Sequence, residues 1–449
     1  MKTKFTAYRF RIYPNQVQRK YLARTFGCVR YVYNWGVSLR CLAYNASEAY
    51  GAEKKGLTYT ETAAILSRHK KKKPWLKEVS SQVLQQSLRD LDTAYKNFHG
   101  KRARYPRFKR KHSRQSARFP RNSFSLKKTA YGLKLYLAKM PGEYLMKVNW
   151  HRVMDEEPSS CTVVQESSGR YYVAFVCERQ ISPLPKTKAT VGIDLGLTDV
   201  VVTSDGWKSG NPRFLAQALK RLRREQQKLA RKTKGSNNFR RQVRRIAKAH
   251  AKVKDARSTW IHQLTKRLVE KYDVICVESL AVKNMQQNRS LARAISDVGW
   301  GELVRQLEYK AEWYGKQVVK VNRFFPSSKT CSRCDHICVE MPLDVRHWKC
   351  ERCGAEHDRD INAAENVHRA GLAQMRGLEP QKAPGQRLSP CGTLYPQAPL
   401  DDRQNHAVRV APTLPPDKVT QGCLRIRGDS PRNHTLGEDQ SRVPPHTRG

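Results

Sequence analysis

Four cysteines in the last third of the chain have the spacing of a metal site. Cys331 and Cys334 form one Cys-x2-Cys pair, and after fifteen intervening residues Cys350 and Cys353 form a second. This pattern is typical of zinc ribbons, in which four thiolates fill a tetrahedral coordination sphere. Because four thiolates leave no open position for a substrate, the sequence predicts a structural Zn²⁺ and not a catalytic one.

Three carboxylates occupy positions where buried elements begin or end. A strand at residues 191–196 carries Asp194, a continuous apolar strand ends in Glu278, and Asp360 opens a helix after the second cysteine pair. Acids at the ends of adjacent strands converge in space however far apart they lie in the sequence. Their mutual repulsion requires cations, and oxygen ligands suit Mg²⁺ or Mn²⁺. Two such ions roughly 4 Å apart activate water and stabilise the leaving oxygen of a phosphodiester.

Each acid taken alone has another interpretation. The Gly-x-Asp-x-Gly around Asp194 also occurs as the phosphate loop of actin-like ATPases and sugar kinases, although the chain has no second glycine-rich loop of that kind. Glu278 alone could be a capping or ion-paired acid. Asp358 is expected to cap the helix that Asp360 opens. Taken together, the positions of Asp194, Glu278 and Asp360 favour metal-dependent chemistry on phosphodiesters.

The charge balance points to a polyanionic partner. The 449 residues contain 86 Lys and Arg against 39 Asp and Glu, which gives a formal net charge of +47. Nucleic acid is the polyanion that would neutralise such an excess. The charge alone is equally compatible with a protein that only binds nucleic acid, as ribosomal proteins do. The length predicts two or three domains.

Cysteine usage and hydropathy predict an intracellular protein with no membrane partner. Eight of the twelve cysteines lie outside the two pairs and are scattered, so they do not form a disulfide framework. Cys338 and His336 lie near the pairs but off the pattern, and we expect neither to bind the zinc. No apolar run approaches the ~20 residues of a membrane span, and the N-terminus lacks the apolar core of a signal peptide.

A polar helix face in the first half could read DNA. Residues 8–13 alternate as a half-buried strand does, and apolar residues repeat every three or four positions from about 79 to 98, which predicts a helix. Gln82, Gln85 and Gln86 share another face of this helix. Because Gln pairs bidentately with adenine, we expect some of them to contact a DNA motif; the alternative is an ordinary solvent face.

Residues 101–121 form the densest basic segment of the chain. We expect Arg107, Lys109 and Arg110 in this segment to contact phosphates. Interleaved aromatic residues such as Phe108 offer surfaces on which bases stack. The alternative is a solvated loop that merely carries charge.

The second half combines basic helices with further strands. Residues 215–271 are rich in Lys and Arg and are interrupted at 235–238, which predicts a basic helical hairpin. Because few apolar residues recur at heptad spacing, we expect this hairpin to face nucleic acid and not to form a coiled coil. A short linker is expected at 181–188 and another strand at 317–325. Residues 376–449 have no apolar period and are rich in Pro, Gly and Arg, which predicts a disordered tail.

At these residues the chain resembles the TnpB family. Its members are transposon-associated RNA-guided DNA endonucleases, also known as OrfB-type transposase accessory proteins, and are ancestor-like to type V CRISPR effectors. The resemblance runs from about residue 5 to 374 and is most specific at residues 192–196, 277–280, 329–334 and 358–366. Asp335 stands where the family usually has Gly, which alters the knuckle turn but removes no zinc ligand.

The resemblance implies an α/β multidomain fold. An RNase H-like RuvC nuclease domain would be split between residues 186–330 and 357–375, with the zinc ribbon inserted at 331–356. Residues 1–185 would form a wedge β-barrel that contains a helical recognition insertion at about 15–120.

The resemblance also implies roles and partners. Asp194, Glu278 and Asp360 match the catalytic acids and would bind Mg²⁺ or Mn²⁺; Asp360 is chosen over Asp358 because it directly precedes x-Asn-Ala-Ala. Arg359 is a weaker candidate for phosphate contact. The expected partners are a guide RNA made from the transposon end and double-stranded target DNA, bound by a monomer in the prokaryotic cytoplasm at the nucleoid.

We therefore interpret the chain as an RNA-guided, Mg²⁺-dependent DNA endonuclease. Base pairing with the guide would supply sequence specificity, and the protein would read only a short adjacent motif and duplex shape. The alternative is a DNA- or RNA-binding transposition accessory or repressor protein without cleavage, although a binder gains nothing from burying three acids near DNA. A plain RNA-binding protein is a third class and predicts no metal-dependent cleavage.

Overall fold

The structure is a computed structural model, and it describes residues 2–377 apart from the short segments 50–55, 131, 142–144 and 343. The described residues form two compact units. The smaller unit comprises residues 32–71 and 88–108, and the larger unit contains both main sheets. The tail expected at 376–449 lies, from residue 378 onward, outside the described residues.

Seven antiparallel strands form the N-terminal sheet, in the order β2-β6-β7-β1-β5-β4-β3. They are β1 (Lys2–Ile12), β2 (Gln115–Pro120), β3 (Phe124–Thr129), β4 (Gly132–Leu137), β5 (Met146–Asn149), β6 (Pro158–Gln165) and β7 (Tyr171–Ile181). Alternate residues point inward, as a half-buried sheet requires, and Phe10, Phe119 and Phe175 are fully buried.

This sheet curls into a half-barrel and does not close. Strand β1 pairs with β7 from Lys2 to Ile12, but it pairs with β5 only at Arg11 and Ile12. The edge strands β2 and β3 are not paired with each other within the described part of the sheet. The resemblance implies a wedge-like β-barrel here, and the structure shows its sheet in a curled, half-barrel form.

Three α-helices lie between β1 and β2 in the described part of the chain, together with a short 3-10 helix at Pro74–Glu78. They are α1 (Gln16–Ala49), α2 (Tyr59–Lys72) and α3 (Ser81–His99). Helix α3 confirms the helix predicted at about 79–98. Within the smaller unit, Gly36 of α1 allows a close approach to α3, because an added Cβ would lie 2.9 Å from the side chains of both Leu88 and Leu91.

A second, four-stranded sheet follows in the larger unit. It consists of β8 (Thr190–Asp194), β9 (Val202–Thr203), β10 (Val274–Glu278) and β11 (Gln317–Val321), in the order β11-β10-β8-β9. The first three strands in this order are parallel, with Val274 level with both Thr190 and Gln317. The strand expected at 317–325 thus ends at Val321.

Helices precede and follow strand β10 in the chain. They are α4 (Phe214–Ala230), α5 (Asn237–Lys271), α6 (Val282–Met285), α7 (Ala292–Val298) and α8 (Trp300–Tyr314). Residues of α5 to α8 pack on one face of the sheet. The predicted basic hairpin is confirmed as α4 and α5, which pack against each other. Ile193 and Val277 of the sheet share a buried core with Ile261 of α5 and Leu303 of α8. Across the described residues, no helix is both long and apolar enough to cross a membrane.

The chain ends its described part with a small ribbon and one more helix. Strands β12 (His347–Lys349) and β13 (Glu356–Asp358) pair antiparallel and lead directly into α9 (Arg359–Met375). Helix α9 lies on the other face of the four-stranded sheet. Gly192 makes this close packing possible, because a Cβ there would lie 2.0 Å from the carbonyl oxygen of Ala364.

Candidate active site and zinc centre

The four predicted cysteines form one compact thiolate cluster. The sulfur atoms of Cys331, Cys334, Cys350 and Cys353 all lie within 4.8 Å of one another. The Cys331–Cys353 and Cys334–Cys350 sulfur distances are 3.7 and 3.6 Å. A tetrahedral zinc with Zn–S bonds of ~2.3 Å requires sulfur atoms ~3.8 Å apart. The cluster therefore fits a structural Zn²⁺, as the spacing predicts.

Residues around the cluster orient it without joining it. Cys338 and His336 are outside the group of four, as expected, and the carbonyl of His336 accepts a hydrogen bond from the Cys331 N–H at 2.8 Å. His357 of β13 was not singled out from the sequence. Its Nε2 lies 3.1 Å from the Cys331 sulfur, and its ring packs on Trp348. His357 directly precedes Asp358 in the chain and thus links a zinc ligand to the start of the next helix.

Two of the predicted acids stand side by side at one edge of the four-stranded sheet. Asp194 ends β8 and Glu278 ends β10, and the parallel register pairs Ile193 with Val277 just before them. Neighbouring parallel strands are ~4.8 Å apart, so the two carboxylates begin from adjacent backbone positions. The N–H of Leu195 donates to Glu278 Oε1 at 3.2 Å and fixes that side chain.

The third acid reaches this edge from α9. The side chain of Asp358 caps the helix by accepting from the N–H groups of Asp360 and Ile361 at 3.0 and 3.1 Å, and it also pairs with Lys208 at 2.7 Å. The expectation that Asp358 is a cap is confirmed. Asp360, in the first turn, is left facing the sheet edge, where its charge acts on Asp194.

Burial disfavours the charged forms of Asp194 and Glu278, and repulsion adds to this effect at Asp194. Burial, with the charges of Glu278 and Asp360, holds the pKa of Asp194 well above its ordinary value. Burial also raises the pKa of Glu278 to about 7, against the lowering effect of the Leu195 N–H. Such a site favours a bound cation. The three carboxylates are spread more widely than the thiolates, since they do not meet the 4.8 Å mutual distance met by the cysteines.

Two arginines near the acids differ in accessibility. Arg359 is buried and donates to the carbonyls of Pro342 at 2.7 Å and Val345 at 3.4 Å, so its guanidinium stabilises the ribbon loop instead of facing solvent. Arg346, in that loop, donates to both oxygens of Asp360 at 3.1 and 3.3 Å. No spacing rule marks Arg346 within the fifteen residues between the cysteine pairs, and only the folded loop reveals it.

The other predicted contact residues are on the surface. Gln82 and Gln85 of α3 are exposed and Gln86 is half-buried, and the Gln82 side chain accepts a hydrogen bond from Ser123. The basic residues of the loop before β2 are exposed; they are Arg107, Lys109 and Arg110. Nucleic-acid contact by the glutamines and by these basic residues stays a prediction.

Three family profiles match this chain. A Cas12f1-like TNB domain matches residues 300–367, a probable transposase profile (OrfB of IS605) matches 164–289, and a helix-turn-helix profile of the same OrfB group matches 1–49. The last description does not correspond to the local structure, because residues 2–49 form strand β1 and the single continuous helix α1.

Curated relatives match most of the chain. A Streptomyces pristinaespiralis protein named "Putative RNA-guided DNA endonuclease" is 42% identical over 384 residues, covering 84% of this chain and 92% of the relative. An Escherichia coli (strain K12) protein of the same description is 32% identical, covering 82% and 92%. A solved Cas12f1 complex with sgRNA and target DNA shares the fold, with a TM-score of 0.53 at 13% identity over 82% of this chain and 99% of that one.

Proposed function

The chain belongs to the TnpB/OrfB family of RNA-guided DNA endonucleases related to Cas12f, and we propose that it cleaves target DNA by metal-dependent hydrolysis at Asp194, Glu278 and Asp360. One observation carries this proposal. Two half-buried acids end neighbouring parallel strands, and a third is directed to the same edge by the capped helix α9.

The finer domain assignment is part of the same proposal. We assign the four-stranded sheet and α9 to an RNase H-like RuvC nuclease domain, residues 186–330 and 357–375, which is interrupted by the zinc ribbon at 331–356. Residues 1–185 form the wedge domain, whose sheet is a half-barrel, and its helical insertion at about 15–120 serves as the recognition part. The tail from 376 to 449 is not required for the chemistry.

Each residue of the proposed site has its own role. Asp194, Glu278 and Asp360 would hold one or two Mg²⁺ or Mn²⁺ ions, which when bound polarise the phosphodiester and activate water. The Leu195 N–H keeps the Glu278 carboxylate aligned beside Asp194. The pairing of Asp358 with Lys208 and with helix N–H groups keeps its charge out of the site. Arg346 restrains Asp360 from the ribbon side.

Guide RNA and target DNA are the proposed partners. The net charge of +47 suits two polyanions, and the Cas12f1 structure that shares this fold is a complex with sgRNA and target DNA. Base pairing with a guide from the transposon end selects the target. The exposed glutamines of α3, Gln82 and Gln85, together with Gln86, read the adjacent motif, and Arg107, Lys109 and Arg110 contact phosphates.

A transposition accessory or repressor protein without cleavage is the alternative. It also accounts for the charge and for the family. It does not account for three acids directed to one sheet edge in a chain otherwise so basic. Two of them, Asp194 and Glu278, have a raised pKa, and such uncompensated charges serve no purpose in a binder.

Substitution of the acids tests the proposal. Asp194→Ala, Glu278→Ala or Asp360→Ala is expected to lower the rate of guide-directed cleavage at least about a thousandfold, because each change removes a metal ligand, while guide-dependent DNA binding by gel shift stays intact. Asp358→Asn is the matched control: Asn remains a good helix cap, so cleavage persists. Cleavage that survives Asp360→Ala but not Asp358→Asn would reverse the assignment, and a wild-type complex that binds its target without cutting would favour the accessory protein.

A further inference from the structure

Two buried amides of α9 contact the zinc ribbon. Asn362 and Asn366 are 1% and 0% exposed, and they lie one helical turn apart in the Asp-Arg-Asp-Ile-Asn-Ala-Ala-Glu-Asn segment. Residues at this spacing lie on the same helix face. The catalytic proposal uses Asp360 from this segment and leaves both amides without a function.

The amides hold the backbone on both sides of the first zinc ligand. The N–H of Ser332 donates to Asn362 Oδ1 at 2.9 Å, and Asn362 Nδ2 donates to the carbonyl of Thr330 at 2.8 Å. Asn366 Nδ2 donates to the same carbonyl at 2.6 Å and to the carbonyl of Ser327 at 2.8 Å. Thr330 and Ser332 flank Cys331, so the position of this cysteine is fixed relative to α9.

Further contacts reinforce the same junction. Arg369 of α9 donates to Asp335 and to the Asn366 side chain, both at 2.6 Å. Asp335 is in the left-handed region, with φ +60°, where a residue with a side chain is strained. At the other end of the junction, His357 Nε2 lies 3.1 Å from the Cys331 sulfur, three residues before Asp360.

We propose that Asn362 and Asn366 are positioning residues that couple the zinc ribbon to the nuclease site. Zinc orders the Cys331 knuckle, the amides transmit that order to the first turns of α9, and α9 holds Asp360 at the sheet edge. The inference rests on the proposed function in one respect, which is that Asp360 binds the catalytic ion. A ribbon that is stable but uncoupled from α9 would leave Asp360 poorly placed.

The coupling is tested with two metals and without relying on cleavage. Asn362→Ala and Asn366→Asp are compared with wild type and with Gln374→Ala, an exposed amide on the same helix, all bound to guide RNA. Asn366→Asp is isosteric; it replaces the Nδ2 donor with an oxygen and adds a negative charge, which Arg369, already on Asn366 Oδ1, partly balances. Zinc release is followed with a colorimetric chelator, and Mn²⁺ affinity by electron paramagnetic resonance. We expect about tenfold faster zinc release and a Mn²⁺ dissociation constant raised at least about threefold, with Gln374→Ala at wild-type values.

A cycle with the zinc ligand separates coupling from simple stability. Cys353→Ser alone should raise the Mn²⁺ dissociation constant, and adding Asn362→Ala to it should raise it little further, because the path is already broken. Additive effects, or faster zinc release with unchanged Mn²⁺ affinity, would overturn the proposal. If Asn362→Ala fails to fold, zinc release and Mn²⁺ affinity of the isosteric Asn366→Asp variant test the proposal instead. Unchanged Mn²⁺ affinity in Asp360→Ala would instead contradict the proposed function, while the zinc-release result still stands.

Discussion

At the scale of single residues, surroundings and not sequence position decide what each acid does. Asp358 and Asp360 are separated by one residue, yet Asp358 is neutralised by two helix N–H groups and Lys208. Asp360 instead pairs with Arg346, and its charge acts on the half-buried Asp194. The burial that raises the pKa of Glu278 also makes that carboxylate costly to the fold when no cation is present, and this cost can be measured.

Glu278→Gln should stabilise the metal-free protein at alkaline pH. The pKa of Glu278 is raised from 4.5 to about 7 in the folded chain, so ionisation destabilises the fold as pH rises through that interval. At pH 8 we expect the melting temperature of metal-free Glu278→Gln to exceed that of wild type by about 2–4 °C. The difference should vanish near pH 4.5, where the wild-type side chain is also neutral.

Addition of Mg²⁺ supplies the control for this measurement. The ion should raise the melting temperature of wild type more than that of Glu278→Gln, because it neutralises the carboxylate that the variant lacks. A variant less stable than wild type at pH 8 in the absence of metal would contradict the electrostatic account of this site.

The glutamines of α3 yield a second prediction at this scale. Gln82→Ala and Gln85→Ala should alter which DNA motif beside the target is accepted, because a Gln that pairs with adenine contributes about 1–3 kcal/mol of discrimination. The measurement is cleavage of a library randomised next to the target. Arg110→Ala is the matched control, since loss of a phosphate contact weakens binding to all motifs alike. An unchanged preference in both glutamine variants would assign this face to solvent.

At the scale of elements, the proposed nuclease site depends on how closely α9 lies on the sheet. Gly192 faces the backbone of α9, and on the helix Gly371 faces Cys276, where a Cβ would lie 2.3 Å from the sulfur. The absence of two side chains thus allows the helix that carries Asp360 to approach β8 and β10. The ribbon fixes the start of the same helix.

Loss of a zinc ligand should therefore impair the fold and the activity together. Cys331→Ser or Cys353→Ser is expected to lower the melting temperature and to reduce cleavage at least about tenfold, since metal binding and local folding are coupled. Elemental analysis of the purified protein should give about one zinc per chain. Cys338→Ser, just outside the cluster, is the control and should retain zinc. Fully active protein without zinc would refute the ribbon.

Elements with a strong local signal could be predicted from the sequence. Strand β10 and the thiolate cluster are recognisable because their signals depend on neighbouring residues alone. These signals are the continuous apolar run before Glu278 and the spacing of Cys331 to Cys353. The contacts of Arg346 and Asn362 arise only when the ribbon folds back on α9. Tertiary contacts of this kind produce no periodic pattern in the amino-acid sequence. The half-barrel form of the N-terminal sheet has no such pattern either.

At the scale of the whole molecule, the described fold ends where α9 ends. Helix α9 stops at Met375 and a turn at Arg376 and Gly377 follows. The remaining residues, 378–449, have no apolar period.

Truncation after Gly377, with guide RNA supplied separately, should leave cleavage within about twofold of the full chain, because no part of the proposed site lies beyond α9. The assay compares initial cleavage rates of both proteins at equal guide concentration. Truncation before α9, after Glu356, is the negative control. A protein ending at Gly377 that folds and binds guide but no longer cuts would show that the tail acts at the protein level.

The position of Asp360 in the chain also sets the order of events during synthesis. Asp194 and Glu278 emerge from the ribosome well before α9, so the half-barrel and three parallel strands can form while the third acid is still untranslated. On the proposed function, a nascent or prematurely terminated chain that stops short of α9 lacks one of the three metal ligands, so it is expected to bind nucleic acid without cutting it. The third ligand is added only with the final described element.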